Sequence, residues 1–460
     1  MKIENKQNIS RMPEAIAIKR LPYCVLKILN GAETILNYQN KDDVVMIEFD
    51  DDQEVIHKED FLNVKLVADN IYNSWVADKH LESSFQTLNN SMKIHDLATE
   101  QIRDIYNEKY KNKKKMIFIK GDDTGCGYWR MVLPARQLDE GKFFLDVSTV
   151  EVIYEYLLEY DIIFIQRLSD WNSFYVLQKL KRAGKKIIYD IDDNLFDLPE
   201  FHPAKLKFGN DARESAASIM SLCDIIITTT DVLKKTLIQY VGSNIENNVV
   251  VIPNAINIGD YEKRDIYPVR GGDESKPFRI MWGGSSTHEY DILMVLGALD
   301  RFLLNHKDDN VRLMIMGYLP MCIREKYKEK HWLGKIEFIE FKDIETYFNM
   351  IGKVNADVGI APLVDCVFNY NKSNIKWQEY TIGDVPVFAS NVPPYSNTIS
   401  DGVDGLLLNT EDEWYDALER KFNNRDGDCW QEMVDNARKK IEERYDISNV
   451  VTQWLEVFDI

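Results

Sequence analysis

The chain has 460 residues, 45% hydrophobic and 28% charged, which excludes disordered, collagen-like and low-complexity classes. Its length accommodates two large domains and a smaller one. A formal net charge of −19 argues against a broad nucleic-acid-binding face and against an anionic membrane surface, since both need clustered Lys and Arg. The six cysteines, Cys24, Cys126, Cys223, Cys322, Cys366 and Cys429, form no CxxC pair and no Cys/His cluster. They read as reduced thiols, not as a disulfide frame or a zinc site. The first twenty residues lack the apolar core of a secretory signal, and no apolar run approaches the ~20 residues of a membrane span. A soluble, cytoplasmic protein is expected.

The first block runs to about Lys115. It holds short β-rich runs, Val44–Phe49 and Phe61–Val67, then a polar helical stretch to Tyr110. The lysine-rich run 109–115 reads as a solvated linker. Apolar strands then alternate with helices: strands at 116–119, 161–166, 186–190, 224–228 and 249–253, with helices near 128, 172–183 and 211–222. Gly184 closes the second of these helices as its C-cap. Fully apolar strands bounded by helices imply a parallel sheet covered on both faces. Residues 259–277 are polar and irregular and read as a linker. The pattern then repeats, with strands at 278–282, 311–316, 336–341, 357–363 and 385–389 and helices starting near His288, Ile344, Ser373 and Glu411. The expected fold class is α/β with two Rossmann-like, doubly wound domains, 116–258 and 278–435, behind a small α+β extension, 1–115. In such sheets ligands sit outside the carboxyl ends of the strands, here in the cleft between the domains.

Three stretches carry candidate chemistry. Trp282-Gly-Gly-Ser-Ser-Thr-His288 follows a strand and opens a helix. Gly283 and Gly284 would let backbone amides approach a phosphate, and Ser285 would help to cap the helix. In Asn371-Lys-Ser-Asn-Ile-Lys-Trp-Gln-Glu-Tyr380, a helix capped by Ser373 puts Lys376 and Glu379 on one face, with Lys372 at its mouth. Lysines neutralise phosphates, and a carboxylate accepts hydrogen bonds from paired ribose hydroxyls. Asp190-Ile-Asp-Asp193 follows a strand and offers Asp192 and Asp193 to the cleft, with His202 and Arg167 as possible companions. The D-x-D triplet keeps a divalent cation open; equally, it is an ordinary acidic turn.

Taken together, Val251-Ile-Pro-Asn-Ala-Ile256, the Trp282–His288 loop, Lys376–Ser390 and Asp401-Gly-Val-Asp-Gly-Leu-Leu-Leu408 resemble the GT-B glycosyltransferases, nearest to the retaining glycosyltransferase family 4. The resemblance spans roughly residues 116–460. It implies transfer of a sugar from a UDP- or GDP-sugar donor to a hydroxyl acceptor such as a glycan or lipid-linked saccharide, with no required metal. Gly283, Gly284, Ser285, Lys372, Lys376 and Glu379 would hold the donor. Asp192, Asp193, His202 and Arg167 would serve catalysis. The first domain would hold the acceptor, with Gly125, Gly127 and Arg130 lining the cleft, and the C-terminal helices 436–460 would partly return to it. Two departures stand out. Of the family's two glutamates about eight positions apart, Glu379 matches the second, while Asn371 replaces the first. The usual Arg/Lys pair for the donor phosphates is not evident after Trp282.

Three alternatives remain at this stage. One is a non-catalytic sugar-nucleotide or glycan-binding module, favoured by Asn371. Another is a glycosyltransferase acting on modified DNA bases, which the net charge disfavours. The third is an NAD-dependent oxidoreductase built on Gly121-Asp-Asp-Thr-Gly-Cys-Gly-Tyr-Trp-Arg130 and Asp146, although the third glycine of G-x-G-x-x-G is missing and Pro134 interrupts the helix that follows.

Overall fold

The structure, a computed structural model, describes residues 24–25, 29, 33–36, 44–49, 52–77, 88–138, 143–148, 152–258, 276–326, 328–340, 347, 350–351 and 355–459. Most of the expected linker 259–277 and the helix start near Ile344 lie outside the described residues. The chain divides into two compact units, residues 1–119 with 139–163 and residues 120–138 with 164–460.

In the first unit, β1 (Glu33–Leu36), β2 (Val44–Phe49) and β3 (Asp52–His57) form an antiparallel sheet in that order. The run Phe61–Val67 is not the expected strand. It lies in α1 (Lys58–Ala77), where Val64, Val67, Ala68 and Ile71 are buried while Leu62 and Leu66 face solvent. Spacings of three and four residues make one apolar stripe, and that period outweighs the local β-propensity of the run. Helix α1 packs against α2 (Leu88–Tyr110), whose buried Ile94, Ala98 and Ile102 repeat every four residues. The lysine run is no linker either. Its start ends α2, and its last residues open β4 (Lys114–Ile119), which pairs in parallel with β5 (Phe143–Ser148).

The second unit opens with a helical turn at Gly125–Gly127 that widens to a π-helix over Tyr128–Val132 and continues as an α-helix over Leu133–Gln137. Pro134 does not interrupt it. It sits in the first turn of the renewed α-helix, where its missing N–H costs little. Strands β6 (Ile162–Gln166), β7 (Lys186–Ile191), β8 (Ile225–Thr228) and β9 (Val249–Val251) are neighbours in that order. They alternate with α3 (Trp171–Arg182), α4 (Asn210–Leu222) and α5 (Asp231–Val241). Asp170 caps α3 by accepting the Ser173 amide proton, and Gly184 at φ +79° takes the left-handed turn after the helix.

The same unit carries a further parallel sheet, of six strands. Its strands are β10 (Phe278–Gly284), β11 (Val311–Gly317), β12 (Ile336–Ile339), β13 (Val358–Ala361), β14 (Val387–Ser390) and β15 (Leu406–Leu408), in the order β12-β11-β10-β13-β14-β15. Helices α6 (Leu296–Asn305), α7 (Ile375–Ile382) and α8 (Glu411–Asn423) cover it, and Trp282, Phe302, Trp332 and Trp414 fill the core. The order reverses between β10 and β13, so the carboxyl ends of these two strands form the switch point where doubly wound sheets bind ligands. After α9 (Asp428–Arg444), helix α10 (Ile447–Asp459) lays Trp454 and Phe458 against Phe164 of β6, at 5.6 and 6.1 Å between ring centroids. Lys186 of β7 donates to the Val457 carbonyl at 2.9 Å. No described helix is long and apolar enough to cross a membrane.

One buried guanidinium joins these pieces. Arg130 is fully buried, grips Asp190 at the end of β7 through Nη2 at 2.7 Å and Nε at 3.0 Å, and donates to the Ile252 carbonyl at 2.9 Å. Its plane lies 5.1 Å from the Trp454 ring centroid. Expected at the cleft, Arg130 is instead a structural clamp. Arg130→Met would leave the equally buried Asp190 without its cation, a cost of about 3–5 kcal/mol. We expect a large drop in melting temperature for this variant; an unchanged melting curve would contradict the clamp.

Candidate functional site

Within the second unit, the strand ends of both sheets open onto one cavity of about 540 Å³, the size range of small-molecule sites. One wall is Asp123 to Cys126 with Trp129, plus Asp192, Asp193 and Asn254 from the ends of β7 and β9. The facing wall is Gly283 to His288 after β10, Met316 to Tyr318 after β11, Leu363 after β13, and Lys372, Lys376 and Glu379 around the start of α7. The cavity thus brings together nine of the expected residues: Gly125, Asp192, Asp193, Gly283, Gly284, Ser285, Lys372, Lys376 and Glu379. Gly127, Arg130, Arg167 and His202 do not line it.

The second-sheet wall departs from a backbone phosphate cradle. The Gly283 amide already donates to the Tyr380 hydroxyl at 2.8 Å. Gly284 is glycine for packing: a Cβ there would lie 2.6 Å from Cζ2 of the fully buried Trp282. Ser285 does not cap the following turn; its hydroxyl meets that of Thr287 at 2.7 Å. That turn is a 3₁₀ segment, Ser286–His288, followed by a five-residue α-helix, Glu289–Leu293, too short to carry much dipole. Ser373 does not cap α7 either; it accepts from Asn254 Nδ2 at 2.9 Å across the cavity floor.

The charges are therefore supplied by side chains. Lys372 Nζ lies 3.3 Å from Asp193 Oδ1. Burial alone would raise the Asp193 carboxyl, and Lys372 and Arg167 more than offset it, leaving Asp193 below the usual carboxylate range. Glu379 is 5% exposed and accepts from the Tyr347 hydroxyl. Burial pushes its carboxyl up to about 7, against the pull of Tyr347 and Lys376. The Lys376 ammonium is pushed down by burial despite the nearby Glu379. Lys376 Nζ also faces His288 Nε2 at 3.4 Å.

On the first-sheet wall, Asp122 accepts from the amides of Thr124 at 2.8 Å and Gly127 at 3.2 Å, and pairs with Arg167. These amides are spent on Asp122 and leave no cradle for the pyrophosphate of a nicotinamide cofactor. Gly127 is there for space, since a Cβ would come within 2.0 Å of the Asp122 carbonyl oxygen. Arg167, at φ +52°, also approaches Asp192 at 3.5 Å. Asp192 Oδ1 is buried without a hydrogen-bond partner among the described residues. His202 is a packing residue: its Nδ1 accepts from the Ala204 amide at 3.2 Å and its ring meets Phe368 at 4.7 Å. Asn371 is 1% exposed, and its Nδ2 donates to the Val367 carbonyl at 2.6 Å. Each carboxylate of Asp190, Asp192 and Asp193 thus faces a cation of the protein itself.

Sequence reasoning missed His288, Asp291, Tyr347 and Tyr380. The His-x-x-Asp spacing at 288 and 291, across the start of a helix, is a signal that could have found the first two. Tyr347 reaches Glu379 from 32 positions away in sequence, and Tyr380 sits on α7 itself, where no local pattern tells that its hydroxyl accepts from the Gly283 amide.

No family model matches the sequence, and no curated protein sequence matches it. Solved structures do. Anabaena HepE in complex with UDP-glucose aligns at a TM-score of 0.58 and 13% identity, over 75% of this chain and 99% of HepE. A glycosyltransferase from Rickettsia africae aligns at 0.54 and 13%, over 75% and 98%. Sucrose-phosphate synthase from Thermosynechococcus elongatus aligns at 0.54 and 14%, over 75% and 98%. At such identities the likeness establishes the fold: this chain has the two-sheet, Rossmann-like α/β architecture of GT-B proteins.

The two loop glycines should behave differently. Gly284→Ala must displace the buried Trp282 ring, an overpacking cost of about 1–3 kcal/mol. At Gly283 a Cβ meets only Tyr347 and Tyr380 at 3.5–3.6 Å, ordinary contact. Melting temperature should fall clearly for the first variant and little for the second; equal losses would refute the packing assignment.

Proposed function

We propose that this chain is a nucleotide-sugar-dependent glycosyltransferase of the family 4 kind, moving a sugar from a UDP- or GDP-sugar to a hydroxyl of a glycan or lipid-linked saccharide. The observation that carries the reading is the pairing of Glu379 with Lys376 and Lys372 at the strand-order switch of the second sheet, across one cavity from Asp192 and Asp193. In this reading the second-sheet domain holds the donor. Glu379 accepts from the ribose hydroxyls, and Lys372 and Lys376 meet the diphosphate, the leaving group, where developing negative charge needs fixed positive charge. The bond from the sugar C1 to the phosphate oxygen breaks, C1 bonds the acceptor oxygen, and the acceptor's hydroxyl proton passes to the departing phosphate oxygen. The retaining outcome follows the family resemblance. Ser285 to Thr287 contribute hydroxyls to the phosphate side. Asp192, whose Oδ1 has no hydrogen-bond partner among the described residues, takes the acceptor hydroxyl. The GT-B neighbours support the reading, since HepE is described in complexes with UDP and with UDP-glucose.

The second reading, a non-catalytic sugar-nucleotide binder, draws on Asn371, which is buried with its Nδ2 donating to the Val367 carbonyl. Slow hydrolysis of a bound sugar nucleotide without acceptor would separate the enzyme from the binder.

Glu379 decides the donor assignment. A hydrogen bond to a charged group is worth roughly 1.5–3 kcal/mol. Glu379→Gln should therefore weaken binding of UDP-glucose or GDP-glucose, whichever the wild type prefers, by about one to two powers of ten. The carboxylate is the accepting form and titrates at about 7, so wild-type affinity should fall as pH drops through that value. The phosphodiesters of the probe do not titrate there, so the variant should show a flat profile. Calorimetry from pH 6 to 8 checks both; intact affinity in the variant would remove Glu379 from the donor site.

A further inference from the structure

Lys376 meets His288 in the cavity wall, and His288 meets Asp291, two residues that the reading above does not use. His288 Nδ1 lies 2.7 Å from Asp291 Oδ2. Asp291 is 3% exposed, and its other oxygen accepts from the Val364 amide at 2.8 Å and from Asn369 Nδ2 at 2.9 Å. It is thus anchored to the segment after β13. A carboxylate so engaged only accepts, so His288 Nδ1 carries the proton. Nε2 is then left with its lone pair, and it faces Lys376 Nζ at 3.4 Å. An ammonium only donates. The chain of partners fixes both the tautomer and the direction of every bond.

We propose that Asp291 and His288 form a relay that aims the Lys376 ammonium into the cavity and keeps it protonated. This rests on the donor-site reading for what the aimed charge is for, not for the relay itself. Two charges compete for Lys376: Glu379, one turn on along α7, attracts it, and Lys372 repels it. Asp291 and the more distant Asp193 add attraction. Without a neutral acceptor behind it, the ammonium would turn toward Glu379, or lose its proton at lower pH because of its burial. His288 suits the task because burial, then Lys376, push its own pKa down to about 4, so it stays neutral and accepting across the working range. His288 and Asp291 are positioning residues, acting through Lys376.

Two variants divide the relay. The glutamine side-chain amide reaches the place of Nε2, and that of asparagine the place of Nδ1. His288→Gln therefore keeps a partner for Lys376, whereas His288→Asn keeps only the Asp291 side. Binding of UDP-glucose and GDP-glucose is measured by calorimetry from pH 7.5 to 10, with melting curves for each variant. Affinity should fall at alkaline pH as Lys376 loses its proton; the uracil and guanine N–H groups of the probes also titrate in this range, equally for wild type and variants, so the effect is read as the difference between them. In His288→Asn that limb should move to lower pH and affinity at pH 7.5 should drop roughly 3- to 10-fold, the range of one modest hydrogen bond. His288→Gln should stay near the wild type. A folded His288→Asn with wild-type affinity and limb overturns the relay. If neither sugar nucleotide binds the wild type, the donor reading fails, and the relay is judged in the free protein by ¹⁵N NMR of the histidines, with His288 assigned from the glutamine variant. A protonated Nδ1 and bare Nε2 between pH 6 and 9, lost in Asp291→Asn, supports the relay; the opposite tautomer overturns it.

Discussion

Buried charge must find a partner, and much of this molecule is arranged around that constraint. An ion removed from water costs several kcal/mol unless an opposite charge and good hydrogen bonds compensate. At the carboxyl ends of the two parallel sheets the chain fully buries Arg130 with Asp190, and partly buries Arg167 with Asp122 beside the buried Asp192, and Lys372 with Asp193. Each pair draws its partners from segments far apart in sequence, so each pair also fixes how those segments lie. Arg130 extends this to the C-terminal helix through Trp454.

This explains why the site is where it is. Parallel strands end with their loops gathered at one edge, and the order reversal at β10 and β13 parts the loops there. Glu379 is almost fully buried there and its carboxyl rises to about 7, while Asp193, beside Lys372, falls. Two carboxyl groups on one cavity are thereby given different working states, Glu379 by burial and Asp193 by its cationic neighbours.

The elements with strong periodic signals were legible in the sequence. Apolar strands such as Ile162–Gln166 and Lys186–Ile191, the capped α3, and α8 starting at Glu411 all stand within a residue or two of expectation. The error at Phe61–Val67 came from a run rich in β-branched and aromatic residues whose longer helical period was overlooked. In the site, Lys372, Lys376, Glu379, Asp192 and Asp193 were found because strand ends and helix starts can be located from pattern. The misplaced residues failed for a common reason. Arg130, Arg167 and His202 are polar residues near strand ends, and pattern cannot say whether such a side chain faces the cavity or turns back to pair within the fold. That depends on partners remote in sequence: Asp190 for Arg130, Asp122 for Arg167, Phe368 for His202.

The backbone of the Gly283–Ser285 loop looked like an anion cradle, and the structure has reassigned it. Its first amide serves Tyr380, its second glycine makes room for Trp282, and the helical turn beyond is too short to lend much dipole. An anion in this cavity must then rely on Lys372 and Lys376. A lysine is a point charge on a flexible stem, with none of the fixed fork geometry of arginine. Its direction has to come from its neighbours. Asp193 supplies that for Lys372, and the Asp291–His288 pair supplies it for Lys376. The positive charge of this cavity thus stands at and just before the start of α7, and its orientation comes from its partners.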